Sequence, residues 1–318
     1  MYKRQEQELP NPDFPGLSAP NPENREAFKL AMELANREGA NMIIATDPDC
    51  DRMGVAVRTS SGAFEVLTGN QIGCLLMDYI LSARQGSFQG DEFVVKSIVS
   101  TPMADAIANY WGVEMRNVLT GFKFIAEQIK LAEQSGKGAF VFGFEESYGY
   151  LGGTFVRDKD AAMASLLLAE AACAYDAKGM TLADAMDALY QKYDYYKESV
   201  LSVTLSGMEG VAKIKKAVDI LRATPPEGFA GTACEYLSDF TTLTRTYLPT
   251  GEQTPIDLPA TNMLIYECDD CRVIFRPSGT EPKLKVYLSV FHENEEIAQA
   301  KLEALEAEAR ALVASITE

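Results

Sequence analysis

The chain has 318 residues, with 29 Lys and Arg against 46 Asp and Glu, a net charge of −17 with its single histidine neutral. A surface this acidic repels phosphate backbones and anionic membranes, so neither nucleic acid nor membrane is expected as a partner. A small anionic ligand has to be held by local cations, backbone N–H groups or a metal ion. At 47% hydrophobic and 24% charged, the composition excludes a disordered or fibrous chain and leaves material for two or three cores.

Residues 1–20 carry Pro10, Pro12, Pro15 and Pro20 with little apolar periodicity and predict an irregular lead-in. Asn21-Pro22-Glu23 then supplies a cap, a first-turn proline and an acid. Phe28, Ala31, Met32 and Leu34 carry the helical spacing to a stop at Gly39. A short apolar strand at 42–45 ends in Thr46-Asp47-Pro48-Asp49-Cys50-Asp51-Arg52, and 54–57 with 64–67 bracket a Ser60-Ser61-Gly62 turn.

From residue 68 the pattern alternates: helix 70–84, strand 93–99, a helix after Thr101-Pro102, strand 114–119, helix 122–133, strand 139–142. Such alternation implies an α/β layer with a mostly parallel sheet, whose strand ends share one ligand-binding rim. Three polar loops fall there: Ser100-Thr101, Thr120-Gly121-Phe122-Lys123 and Gly143-Phe144-Glu145-Glu146-Ser147. A helix at 160–175 is apolar nearly all round and is expected to be buried. After about 195 the texture changes: strand 199–205, helix 210–221, a Pro225-Pro226 break, and strands 263–267, 272–275 and 284–291. In the final helix Ile297, Leu302, Leu305, Leu312 and Ile316 form one apolar face. This last part reads as a separate C-terminal α+β domain.

The lone histidine, His292, excludes mechanisms that need two. Cys50, Cys74, Cys173, Cys234, Cys268 and Cys271 are scattered rather than arranged as a framework, which suits a reducing compartment. No run approaches about 18 uninterrupted apolar residues, so a cytoplasmic location is expected. The Cys268-Asp269-Asp270-Cys271 spacing invites a zinc or redox reading, but zinc wants two more ligands and no second such pair exists. It is read as a hairpin tip.

Asp47, Asp49 and Asp51 alternate, so in an extended segment their side chains point the same way, with Pro48 keeping it extended. Converging carboxylates repel one another, and Mg²⁺ is the usual remedy, with Arg52 beside it for a phosphate; the bland reading is a solvated turn. An EF-hand loop is excluded because its sixth and twelfth positions would be Arg52 and Arg58. A haloacid-dehalogenase-type phosphatase with Asp47 as nucleophile stays open, although Asp51 stands where that motif usually has Thr or Val. Between two strands, Arg276-Pro277-Ser278-Gly279-Thr280-Glu281-Pro282-Lys283 gathers a guanidinium, hydroxyls and a flexible glycine suited to a phosphate. Lys285 is either a further donor or a strand surface charge. The glycine-rich 143–153 loop brings acceptors suited to sugar hydroxyls. Arg157 and Lys159 follow near a helix start.

The set DPDCDR at 47–52, TGFKFI at 120–125, GFEESYGYLGG at 143–153 with RDKD at 157–160, and RPSGTEPKLKVY at 276–287 resembles the α-D-phosphohexomutases, most of all bacterial-type phosphoglucomutases. The resemblance implies partial domain 2 over 1–67, domain 3 over 68–194 and domain 4 over 195–318, with mixed sheets. It implies Asp47, Asp49 and Asp51 as Mg²⁺ ligands and Arg52 as a supporting active-site arginine. Glu145 and Ser147 would contact sugar hydroxyls. Arg276, Ser278, Gly279 and Thr280 would grip phosphate, with Lys159 on the phosphate side.

The implied activity is an isomerase-class phosphotransfer between hexose 1-phosphate and hexose 6-phosphate, glucose or mannose, through a phosphoserine and glucose 1,6-bisphosphate. The family's serine lies in a Ser-His-Asn-Pro type loop, and no Ser-His dipeptide occurs here. The chain is therefore expected to be a piece of such an enzyme, inactive without an N-terminal partner segment. A non-catalytic sugar-phosphate-binding module is the remaining alternative. Tyr148-Gly149 also stands where some members have Gly-His, leaving the proton-transfer partner unassigned.

Overall fold

The computed structural model describes residues 9, 11–205, 207–279 and 281–317; most of the lead-in over 1–10, and Thr280 of the phosphate loop, lie outside them. A 3-10 turn at Arg25–Phe28 leads into α1 (Lys29–Glu38). The helix begins later than Asn21-Pro22-Glu23 predicts, because Asn21 Oδ1 accepts the Glu23 N–H at 3.0 Å in a local turn instead of capping a helix. Gly39 ends it as expected. Phe28 and Ala35 pack onto an antiparallel sheet of β1 (Met42–Thr46), β2 (Met53–Arg58) and β3 (Phe64–Val66), in that order.

Thr68 and Gln71 form a capping box that starts α2 (Gly69–Ala83). Then follow β4 (Glu92–Ser97), α3 (Met103–Trp111), β5 (Glu114–Val118), α4 (Phe122–Ser135), β6 (Ala139–Glu145) and β7 (Gly149–Leu151). The strand order is β5-β4-β6-β7, with β4 parallel to both β5 and β6, and β7 antiparallel to β6. The parallel strands bring their carboxyl ends to one edge, as the alternation implies.

Two helices complete this part, α5 (Ala161–Asp176) and α6 (Leu182–Tyr193). The expectation that α5 is buried all round is corrected: Ala161, Ala164, Leu168 and Ala171 face inward, while Leu166 is 70% exposed. The alanines let one side lie close to its neighbours, and an apolar run does not say which side that is. α6 is tied in by a buried carboxylate. Asp78 Oδ1 accepts from Trp111 Nε1 at 2.8 Å, Tyr193 Oη at 2.5 Å and Lys192 Nζ at 3.3 Å, which compensates its burial.

The chain divides into two compact units between Tyr193 and Asp194. The second contains β8 (Tyr195–Thr204), α7 (Gly207–Ala223), β9 (Gly228–Phe229), β10 (Thr232–Asp239), β11 (Thr244–Tyr247), β12 (Glu252–Pro255), β13 (Leu264–Cys268), β14 (Cys271–Pro277), β15 (Lys283–His292) and α8 (Glu295–Thr317). Its sheet is antiparallel, in the order β12-β11-β10-β13-β14-β15-β8, with β9 paired to β10. Leu302, Leu305, Ala309 and Val313 of α8 join the core formed with Val218 and Leu221 of α7 and Val273, Phe275 and Val286 of the sheet. The predicted apolar face of α8 holds, with Leu312 and Ile316 packed against the same core, except at its start. Ile297 is 43% exposed and Ala298 is buried in its place, because small alanines mark the close helix-sheet contact that a search for large apolar residues overlooks. No helix among the described residues is long and apolar enough to cross a membrane.

Candidate functional site

The β1–β2 connection holds the acidic cluster. Asp47, Asp49 and Asp51 each offer a carboxylate oxygen, all within 4.8 Å of one another, so the three converge as expected. The reason differs from the expected one. The segment is a tight turn, not an extended run: Cys50 N–H reaches Asp47 O at 3.0 Å, and Cys50 takes a left-handed φ of 58°. Asp47 Oδ1 accepts the N–H groups of Asp51 at 3.1 Å and Arg52 at 3.0 Å, so one carboxylate both builds the turn and faces its mouth. Burial pushes the Asp47 carboxyl up, and the Arg52 N–H only partly offsets that, with Asp51 repelling it further. Three oxygen donors on a short rigid turn fit a hard divalent cation such as Mg²⁺.

Arg52 lies across the turn, its Nε 3.9 Å from both Asp47 Oδ2 and Asp51 Oδ1. That Nε is buried and makes no hydrogen bond among the described residues.

The turn is stitched to the glycine-rich loop after β6. Met53 N–H donates to Tyr148 O at 3.1 Å, Arg52 bridges Gly149, and Ala161 N–H donates to Cys50 O at 3.2 Å. Lys159 Nζ stands 2.9 Å from Asp51 Oδ2 and 3.0 Å from Asp158 Oδ1. Burial alone would lower the Lys159 ammonium, but hydrogen bonds to Asp51 and Asp158 outweigh it and raise its pKa. Its stem crosses Gly149 so closely that a Cβ there would lie 2.3 Å from Lys159 Cδ. Gly149→Ala is accordingly expected to dislodge Lys159 from Asp51 while leaving the fold intact, since a lysine stem yields more readily than backbone. A crystal structure of the variant that keeps the 2.9 Å pair would contradict this.

The predicted rim forms. Glu145, only 5% exposed, accepts the Gly121 N–H at 2.6 Å from the β5–α4 loop. Burial raises the Glu145 pKa despite that hydrogen bond, and the adjacent Glu146 adds repulsion. Glu146 is turned away into the rim: Oε2 accepts from Ser97 Oγ at 2.9 Å and Ser100 Oγ at 3.3 Å. Ser147 is half-buried beside Tyr148, which adopts a left-handed φ of 67°. Sequence reasoning gave no separate role to Gly149 or Glu146, although both lie inside the loop it quoted. Arg157 pairs with Glu133, and Lys123 is exposed beside Phe124.

In the second unit, Arg276 near the end of β14 lies directly opposite Lys285 of β15, and its Nη1 lies 3.5 Å from Tyr287 Oη. Two like charges directly opposite each other across a strand pair cost stability. The Ser278 N–H donates to Lys283 O at 2.8 Å, leaving the hydroxyl to accept the Glu281 N–H at 3.3 Å. A Cβ at Gly279 would meet nothing within 4 Å, so packing does not require glycine there.

Residues 1–62 match a family model described as phosphoglucomutase/phosphomannomutase, alpha/beta/alpha domain II, and residues 68–193 match alpha/beta/alpha domain III of the same family. The chain belongs to the phosphoglucomutase/phosphomannomutase family. A phosphoglucomutase of Staphylococcus aureus strain MSSA476 is 37% identical over 296 residues, which are 93% of this chain and 53% of the relative. The phosphoglucomutase of strain MRSA252 is 38% identical over 281 residues, 88% of this chain and 50% of the relative.

The chain thus spans about half the length of the curated relatives it matches. Among solved structures it resembles the exocytosis-sensitive phosphoprotein pp63/parafusin, a phosphoglucomutase of Paramecium in an open form, at TM-score 0.62 and 18% identity, covering 94% of this chain and 50% of that one. A phosphoglucomutase/phosphomannomutase family protein of Burkholderia thailandensis gives TM-score 0.57 and 16% identity over 92% of this chain and 51% of its own. At these identities the likeness concerns the fold, the mixed α/β architecture expected from the sequence. The acidic turn falls in the stretch matched to domain II of the family, and Glu145, Ser147 and Lys159 in that matched to domain III.

Proposed function

We propose that this chain carries the metal-, sugar- and phosphate-binding parts of a phosphoglucomutase/phosphomannomutase that interconverts hexose 1-phosphate and hexose 6-phosphate. The observation that carries the reading is the convergence of Asp47, Asp49 and Asp51 within 4.8 Å on a turn joined to the loop of Glu145 and Lys159. Asp47, Asp49 and Asp51 are the residues that hold Mg²⁺, and the bound ion supplies Lewis-acid neutralisation of phosphoryl charge. Arg52 and Lys159 offer cations to the same oxygens. Glu145 and Ser147 orient the sugar through its hydroxyls. In the second unit Arg276, Ser278, Gly279 and Thr280 grip a phosphate, with Lys285 as an added donor. The division into domains over 1–67, 68–194 and 195–318 belongs to the same proposal.

The phosphoserine and the glucose 1,6-bisphosphate of such a reaction need a serine loop. These residues contain no Ser-His dipeptide, so the chain by itself is proposed to bind hexose phosphates without turning them over. An Asp47 nucleophile is less favoured, because Asp47 Oδ1 is already engaged by two backbone N–H groups.

Calorimetry of the full chain with Mg²⁺ tests the reading. Glucose 6-phosphate or mannose 6-phosphate is expected to bind, and Arg276→Ala to weaken binding by about tenfold to a hundredfold, the worth of a charge-assisted hydrogen bond. Absence of binding by either sugar phosphate would refute it. Steady phosphate release lost in Asp47→Asn would restore the phosphatase.

A further inference from the structure

The second unit holds a cluster of thiols that the phosphate loop does not use. Cys234, Cys268 and Cys271 are 6%, 8% and 1% exposed, whereas Cys50 and Cys173 lie on the surface of the first unit. Cys234 on β10 is the direct cross-strand partner of Cys268 on β13, and their sulfurs stand 3.4 Å apart although 34 residues separate them in sequence. Cys234 N–H is spent on Glu227 O at 2.9 Å, so the Cys234–Cys268 pair lacks its own ladder hydrogen bond. Such pairs bring facing side chains closest, within the range a disulfide spans. A bulge beside Cys234 loosens the register there. The third thiol, Cys271, also directs its Sγ to Phe229 O at 3.8 Å. Hydrogen bonding from Cys234, and then from Cys271, lowers the Cys268 pKa and biases that sulfur toward the thiolate that reacts.

We propose that Cys234 and Cys268 are an oxidation site, converted by a peroxide to a reversible disulfide that links β10 to β13. In the first step the Cys268 sulfur attacks one peroxide oxygen, the O–O bond breaks, and a sulfenic acid and one water form. In the second the Cys234 sulfur attacks the Cys268 sulfur, the S–O bond breaks, and the hydroxyl leaves with the Cys234 proton as a second water. The two thiols lose two electrons together and one hydrogen peroxide gains them. The new bond closes a long loop across two neighbouring strands, which stiffens the second unit against unfolding.

The test uses the full chain. Surface thiols are first alkylated under native conditions, hydrogen peroxide is added and removed, and peptides are mapped by mass spectrometry without reductant. A Cys234–Cys268 linked peptide, two hydrogens lighter than its parts and reversed by dithiothreitol, is expected. An upward shift of several degrees in the unfolding of the oxidised protein should accompany it. Cys271→Ala should keep both effects and Cys234→Ser should lose both. Recovery of Cys234 as a free thiol, or a dominant Cys268–Cys271 link in the wild-type chain, would overturn the proposal. Should Cys234→Ser fail to fold, the Cys271→Ala result decides alone: a retained Cys234–Cys268 link supports the site and a lost one refutes it.

Discussion

Asp49→Asn is expected to weaken Mg²⁺ binding by about 30-fold to 150-fold, taking one ionised ligand contact as worth some 2–3 kcal/mol. Asp49 is the informative member because it is exposed and makes no hydrogen bond among the described residues, so its loss leaves the turn intact. Asp47 differs: its Oδ1 holds two backbone N–H groups, and Asp47→Ala should lower metal-free stability as well, by about 1–3 kcal/mol for the donors left unpaired.

The stability consequence of Asp49→Asn changes sign with the metal. In chelator, removing one of three converging charges relieves repulsion, so the variant should melt at or above the wild-type temperature. In saturating Mg²⁺ the wild type gains about 2.7 kcal/mol at a hundred times its dissociation constant, and the variant gains far less. Melting curves in chelator and in Mg²⁺, beside a calorimetric titration, check both halves. Equal Mg²⁺ affinity in wild type, Asp49→Asn and Asp51→Asn would show that the turn is only a solvated acidic loop.

The acidic turn also shows what the sequence made legible. Three carboxylates spaced by two, straight after an apolar strand, announce convergence, but they do not say how the backbone achieves it. The alternation argument treats the segment as extended, and the hydrogen bond from Cys50 to Asp47 O folds it into a turn instead. Side-chain acceptance by Asp47 competes with extended backbone, and a single sequence does not reveal which wins. The parallel rim was readable because β4 and most of β6 are buried and carry apolar runs. β11 and β12 were not, since they are short and polar: every residue of Glu252–Pro255, on the sheet edge, is exposed, leaving no alternation to detect.

α6 is a different kind of omission. Leu182, Ala185, Met186, Leu189, Tyr190 and Tyr193 are all buried at helical spacing, so the signal was present in the chain. Cys234 and Cys268 illustrate the opposite limit. A short Cys268–Cys271 spacing draws the eye, whereas Cys234 is brought to Cys268 by strand pairing across 34 residues.

Glu145→Gln is expected to stabilise the first unit at neutral and higher pH while lowering hexose phosphate affinity by about tenfold to a hundredfold. Glu145 is a buried carboxyl whose pKa burial raises above the ordinary 4.5, so the folded chain binds its proton more tightly than the unfolded chain does. The sign follows from linkage. The group's favourable contribution is complete below its unfolded pKa and is lost as pH rises through the higher folded value, leaving the wild type least favoured above it.

Glutamine has no such titration, and its side-chain oxygen can still accept the Gly121 N–H. The stability gap between variant and wild type should therefore be smallest near pH 4 and widen as pH rises past the folded pKa. Trp111, the single tryptophan, lies in α3 of the first unit, so its fluorescence during denaturant unfolding reports that unit without the second. Parallel stability curves for the two proteins between pH 4 and 8 would remove the burial argument. A widening gap with unchanged sugar phosphate affinity would keep the burial argument and remove Glu145 from the sugar. Cost in the free protein and gain on binding together are what a ligand-directed buried carboxylate should show, because the sugar hydroxyls replace the water that burial took away.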